Sequence, residues 1–230
     1  MSKLPEIKVK IEVIEKLEES KGFLKAKSFK VKFSQCNQSA EATIDYIDRK
    51  SKDAVCIVPY ETVRSQNVDT TVLYLRSCLR ATIELCSKRK EDCEFVQKGM
   101  KLNHTGNQWE FPAGMIDGEE SVKDAACREL EEELGIYVSP AHIKELGPPI
   151  FTSAGLAPEK IYFQLAEVNS KYMKDIATLA GDGSAMEKFG QKATVTISEA
   201  LELCNNGIIS DAKTTVAIYR VAKLFGNNKY

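Results

Sequence analysis

Nowhere does this 230-residue chain approach the roughly 20 consecutive apolar positions that a membrane-spanning helix needs. That excludes a helical membrane protein. The opening residues MSKLPEIKVK lack the apolar core of a secretory leader, so export is not expected. Charge of either sign in excess is also missing: 32 Lys and Arg against 33 Asp and Glu leave a net −1, without the basic surplus that nucleic-acid binding draws on. Histidine is limited to His104 and His142, both read as surface or structural residues. The seven cysteines, Cys36, Cys56, Cys78, Cys86, Cys93, Cys127 and Cys204, form no Cys-x-x-Cys pair, which argues against a zinc site. Their odd number points to free thiols in a reducing compartment, with the cytoplasm as the default. Internal repeats and low-complexity tracts are absent as well.

What remains is the composition of a soluble enzyme, 43% hydrophobic and 28% charged, at a length suited to one domain or one plus a small appendage. Residues 23–33 and 41–48 alternate in polarity around the polar turn 35–39, a β-hairpin signal. Asp53 to Val58 reads as a buried strand, and Thr70 to Leu79 as its partner across a loop near Asn67-Val68-Asp69. Further strands are expected over Lys160–Val168 and Lys192–Ile197, with a short helix beginning at Ser139-Pro140. Ser198–Asn205 and Asp211–Phe225 read as helices, the second with Ile218, Val221, Ala222 and Phe225 on one face. The expected architecture is α/β, a mixed sheet with helices on both faces. The segment 81–108, with SKRKED near its centre, is long for a bare loop in a compact domain; an extended hairpin and a solvated loop both suit it.

The most informative stretch is GMIDGEESVKDAACRELEEELGI, Gly114 to Ile136. Ser121 and Asp124 form a capping box that starts a helix, and Gly135 is placed to cap its end. In a helix, residues at i, i+3 and i+4 share a face, so Glu129, Glu132 and Glu133 project together. Like charges at that spacing repel, and a hard cation that prefers carboxylate oxygen relieves them; Mg2+ fits best, with Mn2+ as the other choice. Leu130, Leu134 and Cys127 form a neighbouring stripe for a sheet, while Ala125 and Ala126 leave room for a substrate beside the acidic face. Arg128 adjoins Glu129 and can orient its carboxylate, and Glu120 sits where it can support Arg128 or a metal-bound water.

Gly114, Glu120, Arg128-Glu129-Leu130, Glu132-Glu133 and Gly135-Ile136 together match every specified position of the Nudix box, and the chain resembles the Nudix hydrolase superfamily. The flank EFPAGMID, Glu110 to Asp117, resembles the ADP-ribose and nucleoside-diphosphate-sugar pyrophosphatase branch. Asp48-Arg49, the strand running to Leu79-Arg80, and Ser153-Ala154-Gly155 followed by Glu159 are similar too, although the branch usually carries Ser-Pro-Gly at 153–155. The resemblance implies a Nudix-type α/β/α sandwich over residues 51–230, with an insertion at about 81–108. An antiparallel β region over 1–50 precedes it, and the resemblance implies its exchange across a homodimer.

The chemistry implied is metal-dependent hydrolysis of ADP-ribose or a related nucleotide sugar to a nucleoside monophosphate and a sugar phosphate. Glu129 and Glu133 are the expected direct ligands, and Glu132 a direct or bridging one. The resemblance adds the main-chain carbonyl of Ala113 as a ligand, Glu187 as general base with Asp182 as its competitor, and Arg80, Arg49, Glu110 and Glu159 as substrate contacts. Phe29 is a candidate for stacking on the base or for core packing. A sanitising triphosphate hydrolase and a non-catalytic nucleotide-sugar-binding module share parts of this pattern; the second is disfavoured because all the box carboxylates are present.

Overall fold

The computed structural model describes residues 10–19, 24–35, 38–49, 51, 53–65, 68–80, 83, 96–97, 100–101, 107–174 and 191–226. They form two compact units, Met1–Lys52 with Ser153–Glu159 and Asp53–Thr152 with Lys160–Tyr230.

The first unit is an antiparallel three-stranded sheet of β1 (Lys10–Glu19), β2 (Lys25–Gln35) and β3 (Gln38–Asp48), in that order. Unbroken register runs from Lys25 opposite Asp48 to Gln35 opposite Gln38, so the hairpin expected from polarity alternation is present. Phe29 stacks on Tyr46, with ring centroids 5.6 Å apart and planes 13° from parallel. The contact joins diagonal neighbours on one sheet face, where aromatic pairs reinforce strand pairing. Phe29 is half-buried and belongs to neither hydrophobic core. The loop 153–159 is tied to β3 by a hydrogen bond from the Ile47 N–H to the Leu156 carbonyl (2.8 Å) and by an ion pair between Arg49 and Glu159.

The second unit is built on a mixed sheet. Its central order is β10 (Ile143–Glu145), β12 (Lys160–Glu167), β4 (Ala54–Ser65), β5 (Val68–Leu79) and β13 (Lys192–Thr196). β12 runs parallel to β4; the other pairs are antiparallel, including β11 (Ile150–Phe151) on β12. Two further short strands, β6 (Val96–Gln97) and β7 (Met100–Lys101), pair inside the 81–108 segment. The β4–β5 hairpin starts its second strand at Val68, so Val68 and Asp69 belong to the strand and not to the loop; Arg64 and Asp69 form an ion pair there.

The site depends on how this hairpin opens. β4 pairs with β5 only from Tyr60 onward, and β5 pairs with β4 only up to Leu73. Beyond those points β9 (Ala113–Met115) lies against Ala54–Cys56, and β8 (Asn107–Glu110) lies against Arg76–Leu79. β8 and β9 therefore fill the gap between the splayed strands, and the Ile57 N–H donates to the Pro112 carbonyl at their corner (2.9 Å). Pro59, which has no N–H to donate, lies between the two pairing stretches of β4.

Alternation along β4 supplies both cores. Val55 and Ile57 face helix α1 (Val122–Leu134), packing with Ala125, Ala126, Leu130 and Leu134. Cys56, Val58 and Tyr60 face helices α2 (Ile197–Asn205) and α3 (Ala212–Phe225), packing with Ala200, Ala217, Ile218 and Val221. The unit is thus an α/β/α sandwich on a mixed sheet. Ala125 and Ala126, expected to leave room for a substrate, are fully buried against the sheet. Their small side chains let the helix backbone approach β4 closely instead.

Candidate active site

Helix α1 is fixed at both ends by its own sequence. The Ser121 hydroxyl accepts from the Asp124 N–H (3.2 Å) and donates to the Asp124 carboxylate (2.5 Å). Gly135 takes up the left-handed conformation, φ 68°, with its N–H bonded to the Glu131 carbonyl. A side chain there would be strained, which is why glycine ends the helix. Before the helix, Asp117 to Glu120 form a turn, with Gly118 at φ 54° and the Glu120 N–H donating to the Asp117 carbonyl.

Arg128 is the hub of the acidic face. Its Nε and Nη2 fork onto Glu120, both at 3.1 Å; Nη1 donates to Glu129 (2.6 Å) and to Glu132 (3.1 Å), and Nη2 also donates to the Met115 carbonyl (2.8 Å). The hydrogen bonds it donates to Glu120, joined by the charge of Glu129, hold the guanidinium in its charged form, its pKa above the usual value. One planar cation thus ties the turn, β9 and the helix together. Glu129 and Glu133 are each only 7% exposed, while Glu132 is more open. Glu133 faces the buried Arg76 of β5, whose Nη1 lies 3.3 Å from Oε2.

Gly114 makes the fit of Glu129 possible. A Cβ at this position would stand 1.8 Å from Glu129 Oε1, so the carboxylate lies directly over the bare backbone of β9. The Ala113 carbonyl is on that same strand, one residue away. The buried carboxylates of Glu129 and Glu133, with the Ala113 carbonyl on the half-buried strand β9, are oxygen donors of the type that hard divalent cations prefer. Among the described residues, no group of three or more His, Cys, Asp and Glu side chains converges on one point. The acidic oxygens are turned toward Arg128 and Arg76 instead.

Glu110 does not sit as a substrate contact would. It is 2% exposed, and both oxygens are engaged: Arg80 forks onto it through Nε (2.7 Å) and Nη2 (2.5 Å), and Lys213 donates to Oε2. Lys213 also reaches Asp211, the N-cap of α3 (3.0 Å). Burial pushes the Glu110 pKa up, but the Arg80 hydrogen bonds and the Lys213 charge outweigh it and hold the carboxyl below the usual carboxylate range. Nearby, the Phe111 N–H donates to the Thr214 hydroxyl (3.2 Å), so the segment that delivers Ala113 and Gly114 is anchored to α3. Arg80 is partly exposed beside this cluster.

Arg49 and Glu159 pair with each other in the first unit, lining a cavity of about 180 Å³ with Leu24, Ile47, Asp48, Ala157 and Pro158. Glu187 and Asp182 lie outside the described residues, as does His104; His142 is exposed. Cys56, Cys78, Cys127 and Cys204 are free thiols. Among the described residues, no helix is long and apolar enough to cross a membrane. Sequence reasoning passed over Arg76 and Lys213. Arg76 had a signal, a lone charge inside the apolar run Val72–Leu79; Lys213 looked like any first-turn lysine.

Residues 80–175 match the sequence profile of the NUDIX domain. The chain is 35% identical over 109 residues to the ADP-ribose pyrophosphatase of Bacillus subtilis (strain 168), covering 47% of this chain and 54% of that protein. It is 36% identical over 55 residues to the 8-oxo-dGTP diphosphatase of Proteus vulgaris (24% and 47%), and 45% identical over 56 residues to an RNA pyrophosphohydrolase of Campylobacter jejuni (24% and 34%). The chain therefore spans about half, or less, of the length of these relatives, whose named substrates differ. Nudix hydrolases generally use divalent metal ions. The box on α1, the sandwich that carries it and the profile match agree that residues 80–175 carry a Nudix domain, and the chain is similar to an ADP-ribose pyrophosphatase over about half its length.

Proposed function

We propose that the protein hydrolyses the diphosphate bond of ADP-ribose or a related nucleoside diphosphate sugar, releasing a nucleoside monophosphate and a sugar phosphate. The observation that carries this reading is the buried pair of carboxylates on the helix that follows the EFPAGMID flank: Glu129, seated over Gly114 and braced by Arg128, and Glu133, faced by Arg76. Glu129, Glu133, Glu132 and the Ala113 carbonyl would hold Mg2+, or Mn2+. Bound there, the ion neutralises diphosphate charge and supplies an activated water at neutral pH.

The chain's own residues prepare the site. Arg128 holds Glu129 and Glu132 in orientation, and Glu120 keeps Arg128 in place. The Glu110–Lys213–Asp211 cluster fixes the strand corner that presents Ala113. Arg80, partly exposed at the edge of that cluster and forked onto Glu110, is assigned to a phosphate contact. Arg49 and Glu159 are assigned to substrate binding, and Glu187 to the general base with Asp182 as its competitor. The protein acts in the cytoplasm as a homodimer that exchanges its N-terminal sheet. Sedimentation at twice the 25.6 kDa chain mass is the expected result, and a 25.6 kDa species would dismiss the dimer.

A sanitising triphosphate hydrolase is the second reading, favoured by the similarity to the 8-oxo-dGTP diphosphatase over 55 residues. A Mg2+-dependent screen of purified protein against ADP-ribose, GDP-mannose, UDP-glucose and nucleoside triphosphates, with products separated by chromatography, distinguishes the two. Monophosphate plus sugar phosphate supports the first; cleavage of triphosphates alone transfers the protein to the second, and no cleavage of any of them refutes both.

A further inference from the structure

The two buried carboxylates of α1 each have an arginine, and the arginines come from different places. Arg128 belongs to the helix, lies near the surface and divides its hydrogen bonds among Glu120, Glu129, Glu132 and the Met115 carbonyl. Arg76 rises from the sheet beneath. Its side chain is 3% exposed, Tyr74 and Cys78 are buried at the neighbouring positions on its face of β5, and its Nη1 lies 3.3 Å from Glu133 Oε2.

A guanidinium at that depth loses its hydration, and the loss is offset only by an opposite charge of good geometry. Packing alone would favour an aliphatic residue there. The oxygen that Arg76 faces belongs to a carboxylate assigned to the divalent cation, and two positive charges at one carboxylate repel each other.

We propose that Arg76 is a positioning residue that stands in for the cation at Glu133: it holds the carboxylate in place in the metal-free protein, and its charge weakens cation binding at that position. The proposal rests on the reading of α1 as a metal site. It assigns to this chain a built-in setting of metal affinity, made by one buried side chain of the sheet.

The test is a titration of full-length protein with Mn2+ alone, free ion being read by electron paramagnetic resonance, for the wild type, Arg76→Met and Arg76→Lys, with metal-free melting temperatures taken in parallel. Arg76→Met is expected to bind Mn2+ about five- to tenfold more tightly than the wild type and to melt earlier without metal, while Arg76→Lys, which keeps the charge, stays within about twofold. Equal or weaker binding by Arg76→Met, with normal binding by the wild type, overturns the role given to Arg76 and leaves the metal site standing. A wild type that shows no saturable Mn2+ binding removes the metal site, and the inference falls with it. Should Arg76→Met fail to fold, Arg76→Gln carries the same comparison with the same two outcomes.

Discussion

Gly114 has no side chain at the point where Glu129 lays its carboxylate over β9, and any Cβ there would meet that group at 1.8 Å. Gly114→Ala is therefore expected to push Glu129 away from Arg128 and from the Ala113 carbonyl. Overpacking of this kind costs about 1–3 kcal/mol. Its signature is a lowered melting temperature together with weakened Mg2+ activation, and an alanine variant with wild-type metal dependence would show that the close approach is unimportant. Glu110 sets a pH limit on stability. Its folded-state pKa is depressed, so its contribution is fully present above the ordinary glutamate pKa and is lost as pH falls through the lower folded value. The melting temperature should drop in that acidic window, and Glu110→Gln should flatten the drop while lowering stability at neutral pH. A profile unchanged by that substitution would mean that the pair with Arg80 and Lys213 contributes little.

At the scale of elements, the splayed β4–β5 hairpin and the β8–β9 corner set between its strands bring the chemistry together. Most of the long elements were legible because each carries a repeated signal; β1 and the half of β4 beyond Val58 were not read from the sequence. Helix α1 has a cap at Ser121, a stop at Gly135 and an apolar stripe through Leu130 and Leu134; β4 and β5 have apolar runs bounded by polar turns. Strands β8 and β9, four and three residues long, were not legible: too short to show a period, they are held in place by pairing with β5 and β4. The same limit applies to Arg76 and Lys213, whose meaning depends on partners 57 and 103 positions away, Glu133 and Glu110. Arg128 and its acidic neighbours were legible because their contacts are helical or lie within one turn of the helix start. Ala125 and Ala126 were misread because a small residue serves equally to open a face or to let a backbone approach, and only packing decides which.

For the whole molecule, the claim is that the acidic face of α1 drives diphosphate hydrolysis through a bound divalent ion. Glu133 is the less direct residue to change, because Glu133→Gln leaves Arg76 buried beside a neutral amide, and breaking a buried ion pair costs about 3–5 kcal/mol. Glu129 is cleaner: its partner Arg128 keeps Glu120, Glu132 and the Met115 carbonyl. The most direct measurement is the initial rate of Glu129→Gln against wild type on ADP-ribose at saturating Mg2+, in samples matched by circular dichroism. The account predicts a fall of about 100-fold or more with the fold retained; a folded variant that turns over at the wild-type rate would contradict it.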